Sequence, residues 1–408
     1  MLLRPGTGAL RHNNFGMHAG AGSNSSFGWR RIEDLQGARR SLYWRPNIDF
    51  QMNAVLNTRF PGVLAALLLT AAAPARAWDY EGHRLVNQLA LASLPTNFPG
   101  FVFTPAARER IAFLAGEPDR WRNTPDLPLK HFNGPDHFLD IDLLNLHGLE
   151  ARSLSPFRYD FVVSQSQGRL AHANNFPPGD SSKDADHTRS LIGLLPWTIV
   201  EYEARLKSVF SYLREFQESG THDEIANSRE NAIYVMGVMG HFVGDGAQPL
   251  HTTKHHHGWV GDNPHHYTTN FTFHQWIDGG YLAKYPPDFE KLRAKLRPAR
   301  LLGLESSKGG HTNLFGEVMQ YLIEQHEQVE PLYRLDKQLK LSGSREFSQE
   351  GHDFITGQII KAAQNLGDLW LTAWQQAPPD TFLRGQLARR KLATEGRSPA
   401  TEKKPKSE

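Results

Sequence analysis

From Trp78 onward the sequence predicts a mainly α-helical fold. Three observations carry this expectation. Apolar residues recur at helical spacing over long stretches, strand-like alternation is scarce, and Gly and Pro punctuate the intervals between helical runs. In chain order, "EGHRLVNQLALASL" is amphipathic and stopped by Pro95, and "AARERIAFLAG" follows it. "LLPWTIVEYEARLKSVFSYLREFQ" (194–217) is a long amphipathic helix opened by Pro196. "NSRENAIYVMGVMGHFVGD" is apolar enough to be a buried helix ending near Gly246. "FGEVMQYLIEQHEQV" and "FITGQIIKAAQNLGDLWLTAWQ" supply two more. Residues 147–193 look like a long polar insertion, with "NNFPPGDSSKDADHT" as its loop.

The ends differ in kind. "MNAVLNTRFPGVLAALLLTAAAPARAW" starts at Met52 and combines Arg59, an apolar run too short to span a bilayer, and a small-x-small site ending at Ala77. These features predict a cleavable secretory signal at 52–77. Export to the periplasm or medium is therefore expected, with no stable membrane association after cleavage. Residues 1–51 are polar and Gly-rich, the expected mark of a leader or a mis-assigned start. Beyond the helical region of 78–378, residues 379–408 turn basic and polar, which predicts a disordered tail.

Charge is divided along the chain. Residues 1–77 hold nine Arg/Lys and three acids, and the stretch from Arg384 to the end holds eight Arg/Lys and three acids. The region between carries a net charge of about −9. An acidic middle argues against a broad basic face that tracks duplex phosphates. It suits a site that gathers cations. The chain has no cysteine, so a metal would have to bind through His, Asp, Glu or backbone groups.

Eight of the 20 histidines fall between His241 and His274. His241 and Asp245 are four residues apart, a spacing that points both side chains from one helical face, and His274 and Asp278 repeat it. His251 lies between the pairs, after Pro249. Two such pairs and an intervening His favour metal ligation over a single buried ion pair. His255, His256 and His257, like His265 and His266, read as solvated loop residues. Upstream, "GEPDRWR" offers Asp119 and Arg122, and "GPDHFLDID" offers His137, Phe138 and Asp140.

In order, the chain carries W-x-x-x-G-H, D-x-x-R, H-F-x-D, H-F-x-G-D-x-x-Q-P-L-H and H-x-x-x-D. That series resembles the three-zinc single-strand-specific nucleases of fungi, plants and bacteria, which share a fold with bacterial zinc phospholipase C. The resemblance covers roughly residues 78–378 and implies a single-domain helical bundle of that type. It implies one zinc on Asp119, His137, His241 and Asp245. It implies a second on the α-amine and carbonyl of Trp78, on His83 and on bridging Asp245, and a third on His251, His274 and Asp278. Cleavage after Ala77 would create that amine. The resemblance also implies that Asp119 orients the attacking water, Arg122 clamps a phosphate oxygen, Phe138 stacks on a base and Asp140 reads base edges. The expected substrates are single-stranded DNA and RNA and 3′-mononucleotides, the expected products are 5′-phosphorylated, and the expected state is a monomer. The family's Gly-Gly-Asn has its nearest match in Gly261-Asp262-Asn263, which makes Asn263 a substrate-binding candidate. The His255–His257 run and residues 147–193 are not part of the family pattern.

Two other functions fit part of the pattern. A phospholipase C would share the N-terminal Trp and the H-x-x-x-D core. In that branch, however, the last acid is typically Glu, the gap before the final pair is shorter and the first His lies further from the Trp. A non-catalytic zinc-binding protein would use the His-rich loop and have no need of Asp119 or Arg122.

Overall fold

The computed structural model describes residues 78–176, 179–303 and 313–395. The expected leader and signal peptide lie outside them, as does the end of the tail. All described residues belong to the unit Thr70–Glu408. They form helices and connecting loops with no β-strand among them, only an isolated antiparallel bridge between Leu139 and Gly193. No described helix is long and apolar enough to cross a membrane.

The expected helices form where the apolar spacing places them. Asp79 caps the N-terminal helix, Tyr80–Ser93, by accepting from Glu81 N, and the chain turns extended at Leu94 ahead of Pro95. Thr104 caps Pro105–Leu114 in the same way. Leu195–Ser219 starts with Pro196 in its first turn, where a missing N–H costs nothing. A capping box of Thr221 and Glu224 opens His222–Ala247. Leu314–His326 and Gln349–Gln375 complete the large helices.

His222–Ala247 is the central helix. Its residues from Val235 to Ala247 are all buried, which follows from a stretch that is apolar all round. Tyr80–Ser93, Pro105–Leu114, Leu195–Ser219, Leu314–His326 and Gln349–Gln375 pack against it. Asn87 ties three of these helices together by donating from Nδ2 to Ile111 O at 2.8 Å and to Gly237 O at 3.0 Å. The approach is so close that a Cβ on Gly240 would fall 1.6 Å from Asn87 Oδ1.

Two regions depart from expectation. The polar segment 147–193 holds a helix, Arg158–Ala171, anchored by Arg158, which donates to Asp136 at 2.7 Å, to Thr198 at 2.8 Å and to both Glu201 oxygens. Phe161 is buried and stacks on Trp197, with centroids 4.1 Å apart. A few apolar contacts and one forked Arg order a segment whose average composition is polar. The expected disordered tail likewise begins as a helix, Thr381–Glu395. Arg384 pairs with the two oxygens of buried Glu215 at 2.8 and 2.9 Å, and Arg390 pairs with Glu224. The basic residues read as a solvated tail are therefore partners for acids on the two long helices.

Candidate metal centre

The central helix carries His241 and Asp245 on one face, both fully buried. His241 Nδ1–H donates to Ala115 O at 2.7 Å, which leaves the Nε2 lone pair directed at the cluster. His137 Nδ1 lies 3.0 Å from His241 Nε2 and 2.9 Å from Asp245 Oδ2. His241 Nε2 is also 3.3 Å from Asp245 Oδ2 and 3.9 Å from Asp119 Oδ1. Four ligands around one zinc stand about 3.3 Å apart, given metal–nitrogen bonds of roughly 2.0–2.1 Å. The observed separations bracket that edge length.

The other oxygen of Asp245 faces a different set. His83 Nε2 lies 3.5 Å from Asp245 Oδ1, and the His83 ring stacks on that of His241 with centroids 4.0 Å apart. Asp245 thus stands between two groups, one oxygen toward each. Trp78 is beside them: its indole N–H donates to Gly244 O at 2.9 Å, and the next backbone amide, Asp79 N, donates to Asp278 O at 3.2 Å. Gly244 must be small here, because a Cβ would meet His83 Nδ1 at 2.7 Å.

The third group is built from turns. His251 follows the end of the central helix, and its Nδ1–H donates to His137 O at 2.5 Å. His274 and Asp278 span the junction of a short helix and a π-helical turn, Trp276–Gly280, the kind of local expansion often found at functional sites. His274 Nε2 stands 2.9 Å from Asp278 Oδ2, and the His251 and His274 rings meet edge to face at 4.9 Å.

The donor chemistry fits cations. His251 Nε2 and His274 Nδ1 are buried and make no hydrogen bond among the described residues, while His274 Nε2 and Asp278 Oδ2 have only each other as a close polar contact. Each such buried polar atom costs about 1–3 kcal/mol unless something satisfies it. Buried His/Asp groups able to hold metal ions are therefore present: His83–His241–Asp245, Asp119–His137–His241 and His251–His274–Asp278.

Protonation favours that reading at His137, His251 and His274, whereas at His241 burial is outweighed by the Asp245 and Asp119 carboxylates, which raise it. Burial pushes His137 and His274 down to about 3 and His251 to about 4, so these imidazoles are neutral at pH 7, as a ligand must be. Burial would raise Asp119 and Asp245, but neighbouring charge outweighs it. His241 and Arg122 hold Asp119 below its usual value, and His241 and His251 hold Asp245 well below. Asp278 stays well above because burial prevails.

Arg122 Nη2 donates to Asp119 Oδ1 at 2.8 Å, joining the D-x-x-R pair on the Glu117–Arg122 helix. The stretch His137–Asp140 is fixed between two neighbours: Leu139 N donates to His251 O at 3.0 Å and Asp140 N to Ile192 O at 2.8 Å. Phe138 is half-buried, and Asp140 is buried with one carboxyl oxygen unbonded among the described residues. Burial, with Asp142 beside it, pushes Asp140 up to about 7. Asn263 is committed to its own loop, since its amide donates to Tyr267 O and accepts from Tyr267 N, both at 2.8 Å.

Sequence reasoning missed four contributors. Gln248 is fully buried, and its Nε2 donates to Asp278 Oδ1 at 2.5 Å. Its signal was its position between Asp245 and His251. Ala115 supplies only a carbonyl, which no side-chain pattern reveals. His256 and His257, read as solvated, lie against the third group, with ring centroids 6.3 and 5.5 Å from that of His274.

No protein-family model, curated protein or solved structure matches the chain.

Proposed function

We propose that this chain is an exported, zinc-dependent endonuclease that hydrolyses phosphodiester bonds of single-stranded DNA and RNA to 5′-phosphorylated products and also removes phosphate from 3′-mononucleotides. The observation that carries the reading is the shared carboxylate of Asp245, placed between two His/Asp groups and 3.8 Å from His251 of the third. Three zinc ions would be held by Asp119, His137, His241 and Asp245; by Trp78, His83 and Asp245; and by His251, His274 and Asp278. When bound, zinc supplies Lewis acidity toward a phosphate and acidifies water.

The chain's own residues do the rest. Asp119, fixed by Arg122, orients the water. Arg122 donates hydrogen bonds to a non-bridging phosphate oxygen. Phe138 stacks on an unpaired base, which selects single strands, and Asp140 bonds the base edge. Gln248 holds Asp278 in place. The α-amine of Trp78 exists only once the preceding peptide bond is cut, so the site is completed by export. An amine with an ordinary pKa of about 7.7–8.0 loses its proton to a metal readily near neutral pH.

A phospholipase C reading has one observation in its favour. The Leu127–Asn133 helix, between Arg122 and His137 in the chain, exposes Leu127, Leu129 and Phe132. Protein starting at Trp78 is incubated with single-stranded DNA, RNA and phosphatidylcholine, with and without a chelator. Chelator-sensitive release of 5′-nucleotides is expected. Release of phosphocholine alone would establish the lipase instead.

A further inference from the structure

The loop joining His251 to His274 plays no part in the reaction described above, yet it borders the third group. His257 Nδ1 is buried and makes no hydrogen bond among the described residues. The His257 ring lies 5.5 Å from that of His274 and packs on Phe271, with centroids 4.3 Å apart and planes tilted by 32°. Phe271 is 70% exposed. A row of rings, Phe271–His257–His274, thus leads from solvent to the buried ligands.

The loop that presents these rings is firmly built. His256 Nδ1–H donates to Thr253 O at 3.1 Å. Val260 N donates to His255 Nδ1 at 3.0 Å, and the His255 ring stacks on Trp259 at 4.0 Å. Trp259 N donates to Thr268 O at 2.8 Å, which pairs the two limbs of the loop. Gly258 has a φ of 95°, and a Cβ there would come 2.6 Å from the Thr269 carbonyl carbon. Phe271 follows this hydrogen-bonded loop and stands exposed to solvent. Its neighbour Phe273, two residues on, is buried against Tyr333.

We propose that Phe271 and His257 form a second nucleotide subsite, distinct from that of Phe138. Phe271 stacks the base of the nucleotide on the other side of the scissile phosphate, and His257 donates a hydrogen bond to an oxygen of its sugar–phosphate backbone. This rests on the nuclease reading. An exposed aromatic face accepts any base, so the subsite adds affinity without sequence preference. A 3′-mononucleotide fills one subsite and a dinucleotide fills both.

The test compares a 3′-mononucleotide, a dinucleotide and a single-stranded oligonucleotide as substrates of the wild type, F271A, F271W and H257A. Equilibrium binding of a fluorescent, phosphorothioate-protected oligonucleotide is measured alongside. Phe271 is exposed, so F271A keeps its fold. The expected result is a lower KM for the dinucleotide than for the mononucleotide in the wild type, and loss of most of that gain in F271A and H257A. F271A should bind the oligonucleotide about tenfold more weakly, and F271W should restore binding. Persistence of the dinucleotide gain and of oligonucleotide binding in F271A overturns the second subsite while leaving the nuclease reading intact. A wild type that neither binds nor cleaves single strands overturns that reading itself.

Discussion

The Asp245 groups and the His251–His274–Asp278 group touch each other, yet they are built in opposite ways. Asp245 projects from a long buried helix and faces His83, His137, His241 and His251 at 2.9–3.8 Å. Asp278 sits on a π-helical turn with His274 at 2.9 Å, His251 within 4.8 Å and the Gln248 amide as its near partners. Both carboxyls are buried, but imidazole charge holds the first well below its usual value while burial leaves the second well above. The Asp245 groups should accordingly keep their metal to lower pH than the third group does.

The largest expected effect comes from removing the shared carboxylate. D245N should lose about two of three bound zinc equivalents and all measurable phosphodiesterase activity while keeping its helical circular dichroism. Metal content unaltered from wild type would break the assignment of Asp245 as a bridge. Next is Q248A, which removes the amide that orients Asp278. Loss of such a supporting partner typically lowers metal affinity about 10–100-fold. The loss should fall on one equivalent, as read by chelator competition, and a loss spread over all equivalents would show that the two regions are not separable.

Acidification sharpens the comparison without mutation. Asp278 binds a proton at higher pH than Asp245 does, because its value is raised and that of Asp245 is lowered. As pH falls, one equivalent should therefore dissociate before the other two in dialysis followed by metal analysis. Simultaneous loss would contradict the contrast.

The smallest effect concerns Asp140. Its carboxyl is pushed up to about 7, whereas an unfolded Asp titrates near about 3.9. Between those values the folded chain holds a proton that the unfolded chain has lost, so stability falls as pH rises through that window. D140N should raise the melting temperature by a few degrees above about pH 7 and leave it unaltered near about pH 4. An equal shift at both would mean that the carboxyl is not held protonated.

The same division governs what the sequence reveals. The central helix and the pairs His241/Asp245 and His274/Asp278 were legible because helical spacing turns sequence distance into a common face. The Arg158–Ala171 helix and the helix starting at Thr381 were not, because each depends on a distant acid: Asp136 and Glu201 for Arg158, and Glu215 for Arg384. His257 was misread because its place against His274 follows from loop closure at Gly258 and Thr269, which local composition does not encode. Gln248 lay in plain view within the motif, but only folding brings it to Asp278.

The central claim is that these buried groups hold zinc. Metal analysis of purified protein beginning at Trp78, after dialysis against metal-free buffer at neutral pH, tests it most directly. The expected result is about three zinc per chain, falling to about one in D245N. A folded protein that carries no metal, and takes up none when zinc is supplied, would contradict the account.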